Sequence, residues 1–425
     1  MKKGLKIFLI SFSVFIGILL ISFGVVMLTV FTPERLTKIV RSQTTKYINC
    51  KTEIGEVELT FFSTFPDVGI EITGLTLINP KNGACNDTLL HAGKGIASLD
   101  IKALWKNDDL IIHKLIFEDV FVNAFTDKSG ISNYDVFITD TTDTSSFVNP
   151  FKKIDLREIR LKNANISYVD ETSDMHATVS NLYSDLKFQL QNEKIVLLLN
   201  AKTPSVSYSM DSIQYCSNAD IKLNLPLEYN TDKEEIKLSS AKLEFNGLNA
   251  NIDGTITQNG ENTITDIAFN TASYSVKTLI DMIPAVYTTA LDGMNVNGFV
   301  SSTGTVKGIY NENNMPLIDV LATMDKGTFE YSSLPYKLHD ITGGADVKID
   351  LNNEAESKII LKKVVAKTGQ SELEASGLIN YILLDDMLFD LDVKMNFHLP
   401  ELEPMMPDDM NIGFEGFARG GGHVR

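Results

Sequence analysis

Cysteine, histidine and tryptophan are scarce in this chain, and so are the clusters that site chemistry needs. Only Cys50, Cys85 and Cys216 occur in 425 residues. Three cysteines so widely spaced give neither a disulfide framework nor a zinc pattern. The six histidines, His91, His113, His176, His339, His398 and His423, never fall within five residues of one another. Each reads as a lone strand or turn residue, not as part of a metal-ligand set. There is no His-Glu-x-x-His, no Gly-x-Ser-x-Gly, no P-loop and no Gly-x-Gly-x-x-Gly. Gly93-Lys94-Gly95 lacks the glycine six residues ahead of the lysine that a phosphate loop requires, and reads as a turn. Acidic runs such as Asp170-Glu-Thr-Ser-Asp174 lack the spacing and central glycine of a calcium loop. No enzyme and no cofactor are expected.

Basic residues are short too. The chain carries 38 Lys and Arg against 55 Asp and Glu. The few cations are crowded toward the start, so residues 52–425 hold 30 basic and 54 acidic side chains, a net of −24. Nucleic acid rewards the opposite balance, because Lys and Arg displace its counterions; no nucleic-acid partner is expected. The excess of acid serves solubility.

What the chain does hold begins with Ile7 to Phe31, 25 residues without a charge, interrupted only by Ser11, Ser13, Ser22 and Thr29 among apolar and glycine positions. A bilayer core takes about 20 such residues as a helix. The residues that would meet lipid are Ile7, Phe8, Leu9, Ile10, Phe15, Ile16, Leu19, Leu20, Val25, Val26, Leu28 and Phe31. A cleaved signal peptide has an apolar core of about 7–15 residues and a small-x-small exit. This run is longer and leaves through Val30-Phe31-Thr32-Pro33, so residues 1–31 are expected to be an uncleaved transmembrane anchor. Three lysines precede it and four basic residues follow within 16 positions, so flanking charge does not choose an orientation.

Residues 32–50 read as an amphipathic helix beside the membrane. Thr32-Pro33-Glu34 is a start signal, and Leu36, Ile39, Val40, Gln43 and Tyr47 follow at helical spacing. Such a helix either lies on anionic headgroups or caps the next domain with its apolar stripe; capping is the expectation.

From Thr52 the period becomes 2. Val57, Leu59 and Phe61 alternate with polar residues, as do Val68, Ile70 and Ile72. At Gly74 the phase slips by one and resumes at Leu75 and Leu77, the mark of a bulge. Leu99 and Ile101 continue the pattern, and Ile221-Lys-Leu223, Leu243-Glu-Phe245 and Leu391-Asp-Val393 extend it toward the end. Such alternation means strands with one apolar face. The polar stretch Asp140 to Ser146, with Pro150, marks a boundary between a β region at 51–149 and another at 150–425. A helical exception is expected over Ser275 to Leu291.

The second region contains a repeat. Leu279-Ile-Asp-Met-Ile-Pro284 matches Leu402-Glu-Pro-Met-Met-Pro407, and Asp292-Gly-Met-Asn-Val296 matches Asp408-Asp-Met-Asn-Ile412. Gly298-Phe299 matches Gly416-Phe417, and Gly304-Thr-Val-Lys307 matches Gly422-His-Val-Arg425. Four blocks in the same order suit a modular β array. The first copy is followed by a long strand pattern, so the region is expected to be incomplete at Arg425. In a sandwich two apolar faces close on each other; in an open array the face stays available to a greasy ligand. Periodicity does not separate the two. The candidate ligand face comprises Val57, Leu59, Phe61, Val68, Ile70, Ile72, Leu75, Leu77, Leu99 and Ile101.

Several blocks belong together: the apolar run, Pro33-Glu-Arg-Leu36, the strand pair Ile54 to Phe62 and Phe65 to Pro80, Ile96-Ala-Ser-Leu-Asp-Ile-Lys-Ala-Leu-Trp105, and Asp127-Lys-Ser-Gly-Ile-Ser-Asn-Tyr-Asp135. In this order they resemble the start of AsmA-family proteins of the Gram-negative envelope. The likeness is strongest over residues 1–137; residues 150–270 match in texture only, and the family's usual C-terminal portion is missing. The family is related in architecture to TamB and to chorein-type bridge proteins that carry lipid. The resemblance implies a mainly β fold, in which an N-terminal transmembrane helix precedes an elongated, curved antiparallel sheet with an apolar groove and a few short helices. It implies a single inner-membrane span, a body in the periplasm, and phospholipid held or conducted in the groove in support of outer-membrane biogenesis. The expected partners are the inner membrane, phospholipid and outer-membrane components. It implies no catalytic residues. Two alternatives stand beside it: an assembly factor that binds outer-membrane proteins or autotransporters by strand addition, and a structural tether whose apolar face closes into an ordinary core.

Overall fold

The computed structural model describes residues 32–60, 64, 67–81, 86–99, 111–136, 156–191, 194–280, 282, 293–331, 336–384, 386–405 and 413–425. Ile7–Phe31, Phe61, Ile101 and the polar stretch at 140–146 lie outside them. Among the described residues no helix is long and apolar enough to cross a membrane. The architecture is mainly β and mostly antiparallel. The chain divides into two units, Met1–Thr172 and Ser173–Arg425.

Unit 1 opens with α1 (Pro33–Tyr47), begun by proline in the first turn. Its strands are β1 (Thr52–Glu53), β2 (Val57–Thr60), β3 (Val68–Ile78), β4 (Thr88–Leu99), β5 (Ile112–Thr126) and β6 (Glu158–Asp170). β3 pairs antiparallel with β1, β2 and β4, and β4 with β5. At Gly74 the apolar phase changes through a backbone kink at φ 67° and not through the expected bulge: Thr73 faces Lys94 and Leu75 faces Ala92, with one residue between them on each strand, so no extra residue is inserted. β5 and β6 depart from the antiparallel expectation and run parallel. Parallel neighbours need a crossover of a dozen or more residues, and residues 127–157 supply it.

The first stretch of that crossover explains the Asp127 to Asp135 motif. Asp127 Oδ1 accepts the backbone N–H groups of Ser129 and Ile131, and Gly130 takes φ 77°. Asn133, 0 % exposed, accepts from Phe125 N and donates to Asn123 O. The motif folds the chain back on β5 and satisfies backbone groups that the ladder leaves over.

Unit 2 is an antiparallel meander. Its strands are β7 (Met175–Gln191), β8 (Lys194–Met210), β9 (Ile213–Asn230), β10 (Glu235–Phe245), β11 (Leu248–Asn259), β12 (Asn262–Thr271), β13 (Tyr274–Ser275), β14 (Met294–Tyr310), β15 (Leu317–Tyr331), β16 (Leu338–Ile349), β17 (Lys358–Thr368), β18 (Ser371–Asn380), β19 (Leu388–His398) and β20 (Phe417–Val424). Each long strand pairs with the next, and β12 pairs directly with β14. Asn218 and Ser240 take positive φ inside β9 and β10, beside shifts in register, and Asn181 does so inside β7, where the register to β8 is unshifted. Asn and Ser tolerate that conformation through short polar side chains, and the bulges bend the strands.

The sequence repeat has a structural counterpart. The Gly298-Phe299 to Lys307 block lies in β14, and Phe417 to Val424 is β20. Each strand follows a longer connection from its antiparallel neighbour, parts of which (281, 283–292 and 406–412) lie outside the described residues. The first excursion contains the short helix α2 (Val276–Ile280), which falls within the helical stretch expected from sequence. Val276 packs there with Tyr274 and Val300, and Leu248 and Ile280 lie against them. The second contains a 3-10 turn, Leu399–Met405.

Candidate functional site

Pairing register determines which side chains share a face, since directly opposed residues point the same way. In unit 2 it assembles two apolar rows. One runs Phe188, Leu197, Leu227, Leu238, Gly254, Ile267, Val306, Ile318 and Ile349, each facing the next across nine strands. The other runs Ala241, Ile252, Phe269, Gly304, Val320, Val347, Ile359, Ile379 and Phe389, again across nine. Gly304 has a packing reason: a Cβ there would come 2.5 Å from Phe269 Cζ and 2.6 Å from Asp319 O. Gly254, at φ 150°, occupies backbone space that a side chain would strain.

The opposite face is charged. Lys194 meets Glu228 at 3.0 Å, Lys307 meets Asp266 at 2.8 Å and Lys348 meets Asp319 at 3.6 Å. Each of these residues stands an odd number of positions from a row residue of its own strand, one for all but Lys194, which is three from Leu197, so all project away from the rows. A shallow depression of about 440 Å³ is lined by Asp253, Thr305, Asp319 and Lys348 together with the row residues Phe269, Gly304, Val320 and Val347.

Burial separates the two units sharply. In unit 1 Leu36 of α1, 2 % exposed, packs with Ile54, Val57 and Ile70 in a closed cluster. Val57, 0 % exposed, has no remaining surface. Leu59, Ile72 and Leu75 pack against that cluster, Val68 is buried, and Leu77 is buried with Leu89 and Val136. Leu99 pairs with Val68 and Ile112. Here Leu36 and Val40 of the α1 stripe face protein, as the capping alternative requires. In unit 2 no leucine or isoleucine is buried among the described residues. Apart from Ala241, which is buried, and Phe389, which is exposed, the row residues are half-exposed and touch neighbours on the sheet; among the described residues the helix beside them, α2, packs on Val300 and Met324. The half-exposed apolar face therefore lies in unit 2. The sequence signal for it was the alternation at Ile221 to Leu223, Leu243 to Phe245 and Leu391 to Val393.

Among the described residues no group of three His, Cys, Asp or Glu side chains is placed to hold a metal ion. The best-enclosed carboxylate of unit 2 is Glu401, which accepts hydrogen bonds from Thr368 Oγ1, Gln370 N and Ser371 Oγ, with His398 Nδ1 at 3.6 Å. Burial pushes its pKa up, but the hydrogen bonds and the neighbouring His398 outweigh that and hold it below the usual carboxylate range. Its role is to fasten the 399–405 turn to the β17–β18 hairpin, and sequence reasoning missed it.

No curated protein and no solved structure matches the chain. The family model that describes the AsmA family matches residues 1–303, which takes in all of unit 1 and the helix-bearing excursion of unit 2. The chain belongs to the AsmA family.

Proposed function

We propose that the apolar face of unit 2 holds the acyl chains of phospholipid while their headgroups stay in water, with no covalent chemistry. The observation that supports this most directly is the contrast in burial: among the described residues two apolar rows nine strands wide contain no buried leucine or isoleucine, whereas Ile70 of unit 1 is sealed by Leu36. Burying a CH₂ stabilises by about 0.8 kcal/mol. An acyl chain of some 16 carbons along a row would gain on the order of 10 kcal/mol before entropy costs. AsmA-family proteins are generally non-enzymatic and belong to the cell envelope. In our reading Ile7–Phe31 spans the inner membrane, the body stands in the periplasm, and the held lipid serves outer-membrane biogenesis. The test is mass spectrometry of lipid retained by the purified chain. Stoichiometric phospholipid is expected; a preparation free of lipid that also takes none up from vesicles rejects the proposal.

A further inference from the structure

α1 turns Leu36 and Val40 to the core of unit 1 and a basic side outward. Among its described side chains the exposed ones are Pro33, Glu34, Arg35, Lys38, Arg41, Ser42 and Thr45: three cations, one anion and, at the first turn, one proline ring. These cations stand out on a chain whose residues 52–425 are net −24. Arg41 Nη2 reaches Ile54 O at 3.4 Å, which ties this face to the strand region below. The helix begins one residue after the 25-residue uncharged run ends.

A helix that lies in a membrane interface normally sinks its apolar face into the acyl boundary. Leu36 and Val40 of α1 are already taken up by the cluster around Val57. The membrane contact left to the described side chains of α1 therefore runs through charge. We propose that the outer face of α1 rests on anionic phospholipid headgroups and sets unit 1 against the bilayer surface. Two observations favour that occupant: the sign of the patch, and the apolar run that chain order places within a turn of it. The contact does not depend on unit 2 carrying lipid. A basic residue near an anionic surface contributes about fivefold in association, so three together contribute about a hundredfold.

The full chain is placed in nanodiscs with a fluorescent amino acid at Thr45 and headgroup-linked quencher lipids. Quenching is expected with 30 % phosphatidylglycerol, weak in pure phosphatidylcholine, and lost in high salt. Arg35→Glu/Lys38→Glu/Arg41→Glu should abolish it, whereas Arg35→Lys/Arg41→Lys should keep it; a matching melting temperature shows that both variants fold. Equal quenching in both lipids, quenching that survives charge reversal, or none in either lipid overturns the proposal. Flotation with the same lipids tests the span separately: a spanning segment carries the chain up with both compositions, whatever α1 does.

Discussion

Val320 and Leu321 are neighbours in β15 that face opposite ways, which makes them a matched test of the apolar face. Val320 stands between Gly304 and Val347 in one of the nine-strand rows. Leu321 is 37 % exposed on the charged side, opposite Thr303 and Asp346. Val320→Asp removes the two or three carbons that an acyl chain would lie against, worth about 2 kcal/mol at 0.8 kcal/mol per CH₂. That corresponds to about thirtyfold in lipid affinity, and the cost of desolvating a carboxylate adds to it. Leu321→Asp makes the same chemical change one residue away and should leave lipid affinity within about twofold, because its face never meets the ligand. Both variants trade a β-former for Asp, so both should lose up to about 1 kcal/mol of stability. The assay is transfer of a fluorescent phospholipid from vesicles to the full chain, with thermal melts in parallel. Equal loss in the two variants, or none in either, refutes the reasoning.

The remaining expectations concern what holds each unit together. Leu36→Ala should cost about 2–5 kcal/mol, as for other buried leucines, and should release α1, read as faster proteolysis after Arg35 and Lys38. Asn133→Ala leaves Phe125 N and Asn123 O unsatisfied and should lower stability by about 1–3 kcal/mol per orphaned group, measured by denaturant melts. Gly304→Ala drives a methyl into Phe269 and the Asp319 carbonyl and should cost about 1–3 kcal/mol, seen in the melting temperature. Glu401 has a depressed folded pKa, so its contribution is complete above the unfolded value near 4.5 and is lost as pH falls through the lower folded value. Protection of residues 399–405 from hydrogen exchange should therefore weaken below about pH 4.5, and Glu401→Gln should make it independent of pH in that range.

Local chemistry made much of this molecule legible before any coordinates. The alternation around Val57 and Ile70, the slip at Gly74 and the start at Thr32-Pro33 each report on a few adjacent residues, and each has its counterpart in β2, β3 and α1. The repeat at 298–307 was legible for the same reason, as two strands after two excursions. Coverage of a face was not. Ile70 and Ile267 sit in the same local pattern, yet Ile70 is sealed against Leu36 while Ile267 faces only its row neighbours. The residue that decides the matter for Ile70 is 34 positions away, on a helix whose stripe fitted either protein or membrane. Glu401 escaped notice likewise, because Thr368 and Ser371 meet it only through the fold.

Unit 2 then poses a question of stability, since a domain ordinarily hides its apolar side chains in a core and this one does not. Each long strand touches only its neighbours, so its free energy is close to a sum of ladder and nearest-neighbour terms, as in a repeat protein. Half-burial along two rows supplies part of the hydrophobic contribution at every strand, and ion pairs such as Asp266–Lys307 keep the other face wetted. The remaining apolar area is stabilisation that the polypeptide leaves unrealised. A ligand with alkyl chains would lie where a second layer lies in a sandwich, and binding only the folded state it would raise stability with concentration. The melting temperature of unit 2 should thus rise with added phosphatidylcholine, which offers the basic face of α1 no net charge, while the α1-capped cluster of unit 1, already closed by Leu36, gains nothing. A rise confined to unit 1 would place the lipid somewhere other than the two rows.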